Sequence, residues 1–573
     1  MLYEREEFEK LNPALGLGKV VAFDFETTGL YPHKGDKAFI LGFAFDSIVG
    51  SVRLTDGIDL SHFFGQKEVA YCAHNAKFEM GFLERQFGVS IEGTVWDTEV
   101  MAKLYNNNHD SYSLQECAKR IGASKHVPML EWLKDRKNKK AYHLAPESLI
   151  VPYVEQDANL SLLLYHNQHA SLKPWLNGHP PINLLLKLEP ATTKNLYRIE
   201  SGGVKLDADY CRRALAHERE REHAACTLFE QQTGAKLIMS AKQLKPIFDA
   251  HGLAYGRTEK GNASFDGASL ERSKDHPIVK TILMYRDAQK RASTYWENFL
   301  DEQVSGQLYP NIRQCGAATG RMSVTNPACQ TWPNDDADHP FPIRRAFVAE
   351  GGCQLVSMDY AQMELRVMAH EAGETTMLDA IRLGRDFHSE VSQSAGVTRD
   401  VAKRARFAKL YGAGRKKIAE TLGILIEDAR KVCDALDAQT PKITAYAYRL
   451  IRDADQWGWS SNVFGRRYQF DRDFSYKAPN YRIQGGCSDV LRIAIAHCWK
   501  IIDEHAESNR TRIVMPIHDE LVFQVDACDM HLLPMFRRAM IEAYLPDKKL
   551  MDVSISLGHN LCDLENYVEE SRD

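Results

Sequence analysis

The chain has 573 residues, a length that at about 150 residues per domain points to several structural units. It is 44% hydrophobic and 26% charged, with 36 Gly and 21 Pro, which fits a globular protein and excludes collagen-like and low-complexity classes. The formal net charge of -5 leaves a nucleic-acid partner open, because what matters is where the positive charge sits. The 12 Cys are scattered without a C-x-x-C pair, so neither a zinc ribbon nor a disulfide scaffold is expected, and a reducing compartment fits.

The N-terminus MLYEREEFEK is acidic and polar, unlike a signal or transit peptide, and no apolar run approaches a membrane span. The expectation is a cytoplasmic protein with no membrane partner. The first predicted element is a strand in VVAFDFETTGL. Strand side chains alternate, so Asp24 and Glu26 share one face while Phe23 and Phe25 point to the core. Two adjacent carboxylates repel each other unless a cation lies between them, and hard divalent ions prefer such oxygen-only surroundings. One acidic pair alone is a weak signal. AHNAKFEMGFL then places Asn75 and Glu79 one helical turn apart, with Phe78 and Phe82 for the core, and PYVEQDANLSLLL does the same for Tyr153 and Asp157. Together Asp24, Glu26, Glu79 and Asp157, with Tyr153 to orient a water, suit a two-metal phosphodiesterase.

Up to about residue 170 short strands alternate with helical patterns, as in an α/β layer. The Pro-rich stretch Leu172 to Ile182 reads as a linker, and 183 to 310 as mostly helical. There TILMYRDAQKRASTYWENFL carries Arg286, Lys290 and Arg291 on faces away from its apolar stripe. Basic segments are local: KDRKNKK (134–140), read as a solvated face, TRDVAKRARFAK (398–409), GRKK (414–417) and GRR (465–467).

Three rear segments carry a second constellation. In LVSMDYAQMELRVMAH an apolar strand ends at Asp359 before the chain turns helical. In TRDVAKRARFAKLYG the residues Arg399, Lys403, Phe407 and Tyr411 recur every four positions, one slanted stripe on a helix, with cations for phosphates and rings for base and sugar. In RIVMPIHDELVFQV two apolar runs flank His518, Asp519 and Glu520, a β-hairpin with acids at its tip. Each taken alone has a plainer reading: a solvated helix face, or an N-cap. Their joint order and spacing make those readings weak.

The front segments resemble the 3′–5′ exonucleases of the DEDD type with a tyrosine in the third motif, the proofreading domain of DNA polymerases; Glu79 departs from the usual Asp. The rear segments resemble the A-family DNA polymerases, the bacterial DNA polymerase I and phage replicative group. DYAQMELR, R-x-x-x-K-x-x-x-F-x-x-x-Y-G (399–412) and HDEL (518–521) match the three polymerase motifs. Supporting matches are TGRMSVTNPACQTWP (319–333), FHSE with His388, FGRR (464–467), NYRIQGGCSD (480–489) and YRDAQKRASTYW (285–296).

The resemblance implies an α/β multidomain fold, with a ribonuclease H-like 3′–5′ exonuclease domain (1–182) followed by a polymerase domain (183–573). The thumb would span about 190–310, the palm about 311–380 and 490–573, and the fingers about 381–489. It implies two Mg²⁺ ions per site, with Mn²⁺ as alternative, held by Asp359 and Asp519 at one site and by Asp24, Glu26, Glu79 and Asp157 at the other. The carbonyl of Tyr360 would complete the polymerase coordination, with Glu520 near but secondary. Arg399, Lys403 and His388 would take the triphosphate, and Lys403 would protonate pyrophosphate. Glu364 would close the pocket to a ribose 2′-OH, a mismatch of ~2–4 kcal/mol or ~30- to 1000-fold. Phe407 would pack on the sugar and Tyr411 beside the template. Arg321, Gln484 and Asn480 would touch minor groove and template, and His518 the primer terminus. The Ala408 departure from a common Gly implies a local packing effect.

The implied function is DNA-directed DNA synthesis with proofreading and without a 5′ nuclease segment, in replication or repair of a phage or bacterium. Primer–template DNA and dNTPs would be its partners, with a processivity factor or other replisome protein as a further candidate, and the chain would act as a monomer. Two rivals stay open: a single-subunit phage-type RNA polymerase, disfavoured by Glu364 and the exonuclease-like front, and an exonuclease carrying a degenerate polymerase module. A non-enzymatic DNA-binding protein fits poorly with two sets of acids.

Overall fold

In the computed structural model, the residues described are 1–12, 19–135, 137–139, 141–176, 181–258, 260–333, 338–385 and 387–567. The front part is built on a six-stranded mixed sheet ordered Leu2–Tyr3, Ile48–Arg53, Ala38–Phe45, Val20–Thr27, Ala70–Ala73, Thr94–Asp97. Val20–Thr27 lies in the middle, antiparallel to Ala38–Phe45 and parallel to Ala70–Ala73. One face of the sheet buries an aromatic cluster of Phe23, Phe25, Phe43, Phe63 and Phe64. Across the other runs the helix Glu147–Leu176, seated close because Gly42 has no side chain where the carbonyl of Val154 approaches.

The expected linker is shorter than its composition suggested. The helix continues through Leu172 to Leu176, and the next, Pro181–Gly202, begins within the Pro-rich stretch; 177–180 lie outside the described residues. Pro181 opens its helix at the position where a missing N–H costs nothing. This second helix joins the two parts: Leu185, Leu188, Leu196 and Ile199 belong to the same apolar core as Trp96 of the front sheet and Met358 of the rear one.

Next come two long helices, Ala208–Thr233 and Pro277–Lys290, which pack against each other. Near their far ends Phe229, Phe248, Phe265 and Ile282 form a small separate core. Arg291 corrects an expectation: it is fully buried, and its Nε donates to Asp287 at 3.1 Å. The chain widens into a π-helix over Arg291–Glu297, and the 3.6-residue periodicity that put Arg291 outside ends there.

The rear sheet is antiparallel, ordered Arg512–Ile517, Glu520–Asp526, Cys353–Tyr360, Val553–Gly558, Glu565–Asn566, with the helix Ala478–His505 against it. The helices Phe387–Ala395, Arg399–Leu410, Arg415–Leu422 and Ile426–Gln439 form their own cluster around Val391, Ala402, Ile418 and Val432. All twelve cysteines are free, and among the described residues no helix is long and apolar enough to cross a membrane. Of the KDRKNKK segment, Lys134, Asp135, Lys137 and Lys139 are exposed, as a solvated face requires.

Candidate active sites

The front acids converge. One carboxylate oxygen each from Asp24, Glu26 and Asp157 lie within 4.8 Å of one another. Strand alternation puts the first two on the face that the Glu147–Leu176 helix crosses, and that helix delivers Asp157. Burial, then the neighbouring Asp157, pushes the Asp24 carboxyl up to about 8. Burial, then Asp24 and Asp157, pushes Glu26 well above the carboxylate range. Such acids resist ionising together unless a cation joins them. Asp157 Oδ1 is buried without a hydrogen-bond partner, and the donor set is all oxygen, so the residues fit a hard divalent ion.

Glu79 stands apart from that tight group. Strand pairing between Val20–Thr27 and Ala70–Ala73 ends at Ala22–Cys72, and Glu79 Oε2 accepts the Phe25 N–H at 2.9 Å beyond it. Its longer side chain is used to satisfy this buried amide. Burial, then Asp24, still raises Glu79 well above its ordinary range, so it belongs to the same electrostatic cluster.

Sequence reasoning missed two residues here. Asp97 caps the helix Thr98–Tyr105, accepting the Glu99 and Val100 N–H groups, and also accepts those of Asn75 and Ala76. It thereby fixes the turn into Ala76–Phe87, where Asn75 has a φ of 67°. An Asp between a strand and an apolar helix is a readable cap signal. The other is Lys125, whose Nζ lies 2.5 Å from Asp157 Oδ2 and donates to Tyr153 Oη at 2.9 Å. It sits in a short non-periodic loop, and no pattern marks it.

The rear acids meet through strand register. Asp359 is the penultimate residue of the central strand and pairs with Glu520 on one side and Ser554 on the other. His518 and Asp519 form the two-residue turn of the hairpin, with His518 in the left-handed region at φ 58°. The Tyr360 N–H donates to the Asp519 carbonyl at 3.4 Å. This sets Asp519 at the end of Asp359's own strand. Burial, then repulsion from Asp519 and Glu520, lifts Asp359 to about 6. The pair therefore also fits a divalent cation.

Glu520 is not at the hairpin tip. It begins the second strand, largely buried, where Oε1 accepts from Ser357 Oγ at 2.6 Å and Oε2 lies 3.1 Å from Arg344. Tyr360 is wholly buried, and its hydroxyl donates to the Met540 carbonyl at 2.7 Å. The Arg399–Leu410 helix carries the expected stripe; Arg399 and Lys403 are exposed, Phe407 is partly buried, and Tyr411 forms the C-cap. The Phe407 and Tyr411 rings lie 6.4 Å apart. The side chain of His388 lies outside the described residues.

Glu364 opens the helix Met363–Ala372 and is doubly held: it pairs with Arg321 and accepts from the Tyr411 hydroxyl at 2.8 Å. Burial, then Glu364, raises Tyr411 to about 12, while a hydrogen bond from Gln484 opposes the shift. Arg321, Glu364, His518 and Asp519 line one cavity of about 40 Å³. Asn480 Oδ1 is buried without a hydrogen-bond partner. Ala408 is partly buried against the helical cluster that holds Ala402 and Ile418. Two basic segments are partly internal: Arg406 is buried, and Arg466 is buried in ion pairs with Glu189 and Asp489.

The chain matches two family models, 3′-5′ exonuclease over residues 1–172 and DNA polymerase family A over 210–563. DNA polymerase I of Chloroflexus aurantiacus is 29% identical over 94% of this chain, which spans 61% of that protein. The DNA polymerase of Mycobacterium phage L5 is 28% identical, with 79% of this chain and 77% of the phage protein covered. The thermostable DNA polymerase I of Thermus aquaticus is 31% identical over 66% of this chain and 48% of its own length. In fold, the chain is similar to the POL domain of Pol1 from M. smegmatis, solved in complex with DNA primer-template and dNTP. That match has a TM-score of 0.81 and 23% identity, with 96% of each chain covered.

Proposed function

The chain belongs to DNA polymerase family A, and from that premise we propose that it extends a primer 3′ end with deoxynucleotides and, at a separate front site, removes 3′-terminal nucleotides. The observation that carries this reading is the strand register that sets Asp359 beside Asp519, two acids 160 positions apart in sequence. It supports the palm reading of about 311–380 and 490–573; the proposal takes 1–182 as exonuclease, about 190–310 as thumb and about 381–489 as fingers.

Asp359 and Asp519, with the Tyr360 carbonyl, would hold Mg²⁺ or Mn²⁺ at the polymerase site; Asp24, Glu26 and Asp157, with Glu79 close behind, would do so at the exonuclease site. Bound there, such ions supply Lewis-acid stabilisation of an in-line phosphoryl displacement. The remaining work is positioning and charge neutralisation by the chain's own residues. Arg399, Lys403 and His388 receive the triphosphate, and Lys403 gives a proton to the departing pyrophosphate. Phe407 packs on the sugar, and Glu364, held by Arg321 and Tyr411, presents a fixed wall to a 2′-OH. Arg321, Gln484 and Asn480 read the minor groove and template without sequence preference, and His518 meets the primer terminus. Glu520, engaged by Ser357 and Arg344, braces the hairpin rather than binding an ion first-hand. At the front site Tyr153 orients the attacking water.

Two variants test the reading on one labelled primer–template, with and without dNTPs. Asp519→Ala is expected to lower incorporation by at least about a thousandfold and to leave 3′ degradation intact. Asp24→Ala with Glu26→Ala should do the reverse. Loss of both activities in either folded variant would contradict two separate sites, and a wild-type preference for rNTPs without a primer would favour an RNA polymerase.

A further inference from the structure

Lys125 has a place in the front site that no acidic motif announces. It follows a turn at Gly122 between the helices Leu114–Arg120 and Val127–Leu133. Its side chain is only 14% exposed and runs inward to the carboxylates. Burying an ammonium costs several kcal/mol unless it is paired and hydrogen-bonded, so this direction has to be supported. The support is on both sides: Nζ meets Asp157 Oδ2, and the loop itself is tied down where Gln156 Nε2 donates to the Ser124 carbonyl at 2.5 Å. The loop is therefore docked on the helix that carries Tyr153 and Asp157.

The contacts divide the work of each partner. Asp157 gives Oδ2 to Lys125, while Oδ1 stays buried and without a hydrogen bond, available to an ion. An ammonium has donors and no acceptor, so in the 2.9 Å contact the Tyr153 oxygen must accept. Its own proton then faces the Asp157 carboxylate and the Tyr142 hydroxyl, the acceptors beside it, so the contact with Lys125 fixes which way the hydroxyl turns. The same ammonium lies 4.8 Å from the centre of the Tyr153 ring, which restricts the ring's tilt.

We propose that Lys125 is a positioning residue of the exonuclease site, which acts through Tyr153 by making its oxygen an acceptor on one side and so fixing the hydroxyl that orients the water at the scissile bond. The proposal rests on the exonuclease reading above. A Lys125 that served only to neutralise acids would behave differently: its loss would alter ion binding and stability without a specific effect on turnover.

The test uses the full chain in an Asp519→Ala background, so that added Mn²⁺ reports the front site, with a single-stranded oligonucleotide as substrate. Lys125→Met is expected to lower kcat for 3′ degradation about 10- to 100-fold with KM within about twofold, the range found when residues that orient first-contact groups are removed. Mn²⁺ affinity by electron paramagnetic resonance should hold or tighten, because a positive charge has left the ion's surroundings. Lys125→Arg should recover part of the rate. Tyr153→Phe should lose rate, and adding Lys125→Met to it should lose little more, because both act through one hydroxyl. The proposal is overturned if Lys125→Met keeps the parent kcat, if it loses rate together with Mn²⁺ affinity, or if the two losses multiply. Absence of 3′ degradation in the parent itself would instead overturn the exonuclease reading.

Discussion

His74 shows how one side chain ties the stability of the front part to pH. Its ring sits between Thr98 Oγ1 and the Tyr112 carbonyl, each at 2.9 Å. A carbonyl cannot donate, so Nε2 carries the ring proton; in the neutral ring Nδ1 accepts from the Thr98 hydroxyl, whose other acceptor, the Ala73 carbonyl, is farther away at 3.3 Å. Burial, only partly opposed by Glu99, lowers its pKa from 6.5 to about 4. The sign follows: the unfolded chain binds this proton more readily, so the stabilisation is complete above the unfolded value of 6.5 and is lost as pH falls through about 4. Over that window the wild type should lose stability with a slope approaching one proton, ~1.4 kcal/mol per pH unit, relative to His74→Gln. Denaturant midpoints of both proteins from pH 4 to 7 measure it. Taking the difference matters, because Asp24 and Asp97 titrate upward of their ordinary values and tilt the metal-free protein the other way. Parallel curves for the two proteins would mean that His74 is not held neutral.

At the scale of elements, what could be read from residues was what obeys a period. The alternation of Val20–Thr27 put Asp24 and Glu26 on one face, and the four-residue spacing of Tyr153 and Asp157 put both on one helix; the fold keeps each. The stripe on Arg399–Leu410 survives for the same reason. Where the period changes or is absent, the reading failed. Arg291 turned inward as the helix widened, Lys125 came from a loop, and Glu79 was diverted by a strand amide that only tertiary structure leaves unpaired. The close seat of the Glu147–Leu176 helix was equally hidden, since it rests on a hydrogen at Gly42. A Cβ there would run into the backbone and side chain of Val154, next to Tyr153. Backbone cannot rotate out of the way as a flexible side chain can. Gly42→Ala should therefore push the helix outward, at a cost of about 1–3 kcal/mol, and displace Tyr153 and Asp157 together. Exonuclease turnover should fall by about tenfold or more while primer extension is retained. A variant with full nuclease activity would show that the helix and sheet tolerate separation.

At the scale of the whole molecule, the two sites are joined by one core and one bridging helix, so they keep a fixed relation. Lys77, two residues before Glu79, pairs with Glu200 of Pro181–Gly202 and donates to the Ile312 carbonyl at 2.6 Å. Glu200 also accepts the Ile312 N–H, which completes a polar staple between the helix Ala76–Phe87 and the short strand Asn311–Arg313. On the proposed function, a polyanion reaching both sites would be held by a protein whose own net charge is -5. This works only if cations are concentrated along the path and acids elsewhere, because exposed charges farther apart than about 8–10 Å are largely screened at physiological salt. Several of the cations that look basic in sequence are already paired within the chain: Arg466 with Glu189 and Asp489 in the interior, Lys409 with Asp437, and Arg415 with Asp434 at the surface. The remainder must neutralise phosphates and release counterions. Primer–template affinity should then fall linearly in log–log form with salt, by about 10³ or more between 50 and 200 mM if six or more phosphates are contacted. Fluorescence anisotropy of a labelled duplex across that range measures the slope. A slope near zero would mean that DNA is not held through its phosphates along a basic cleft.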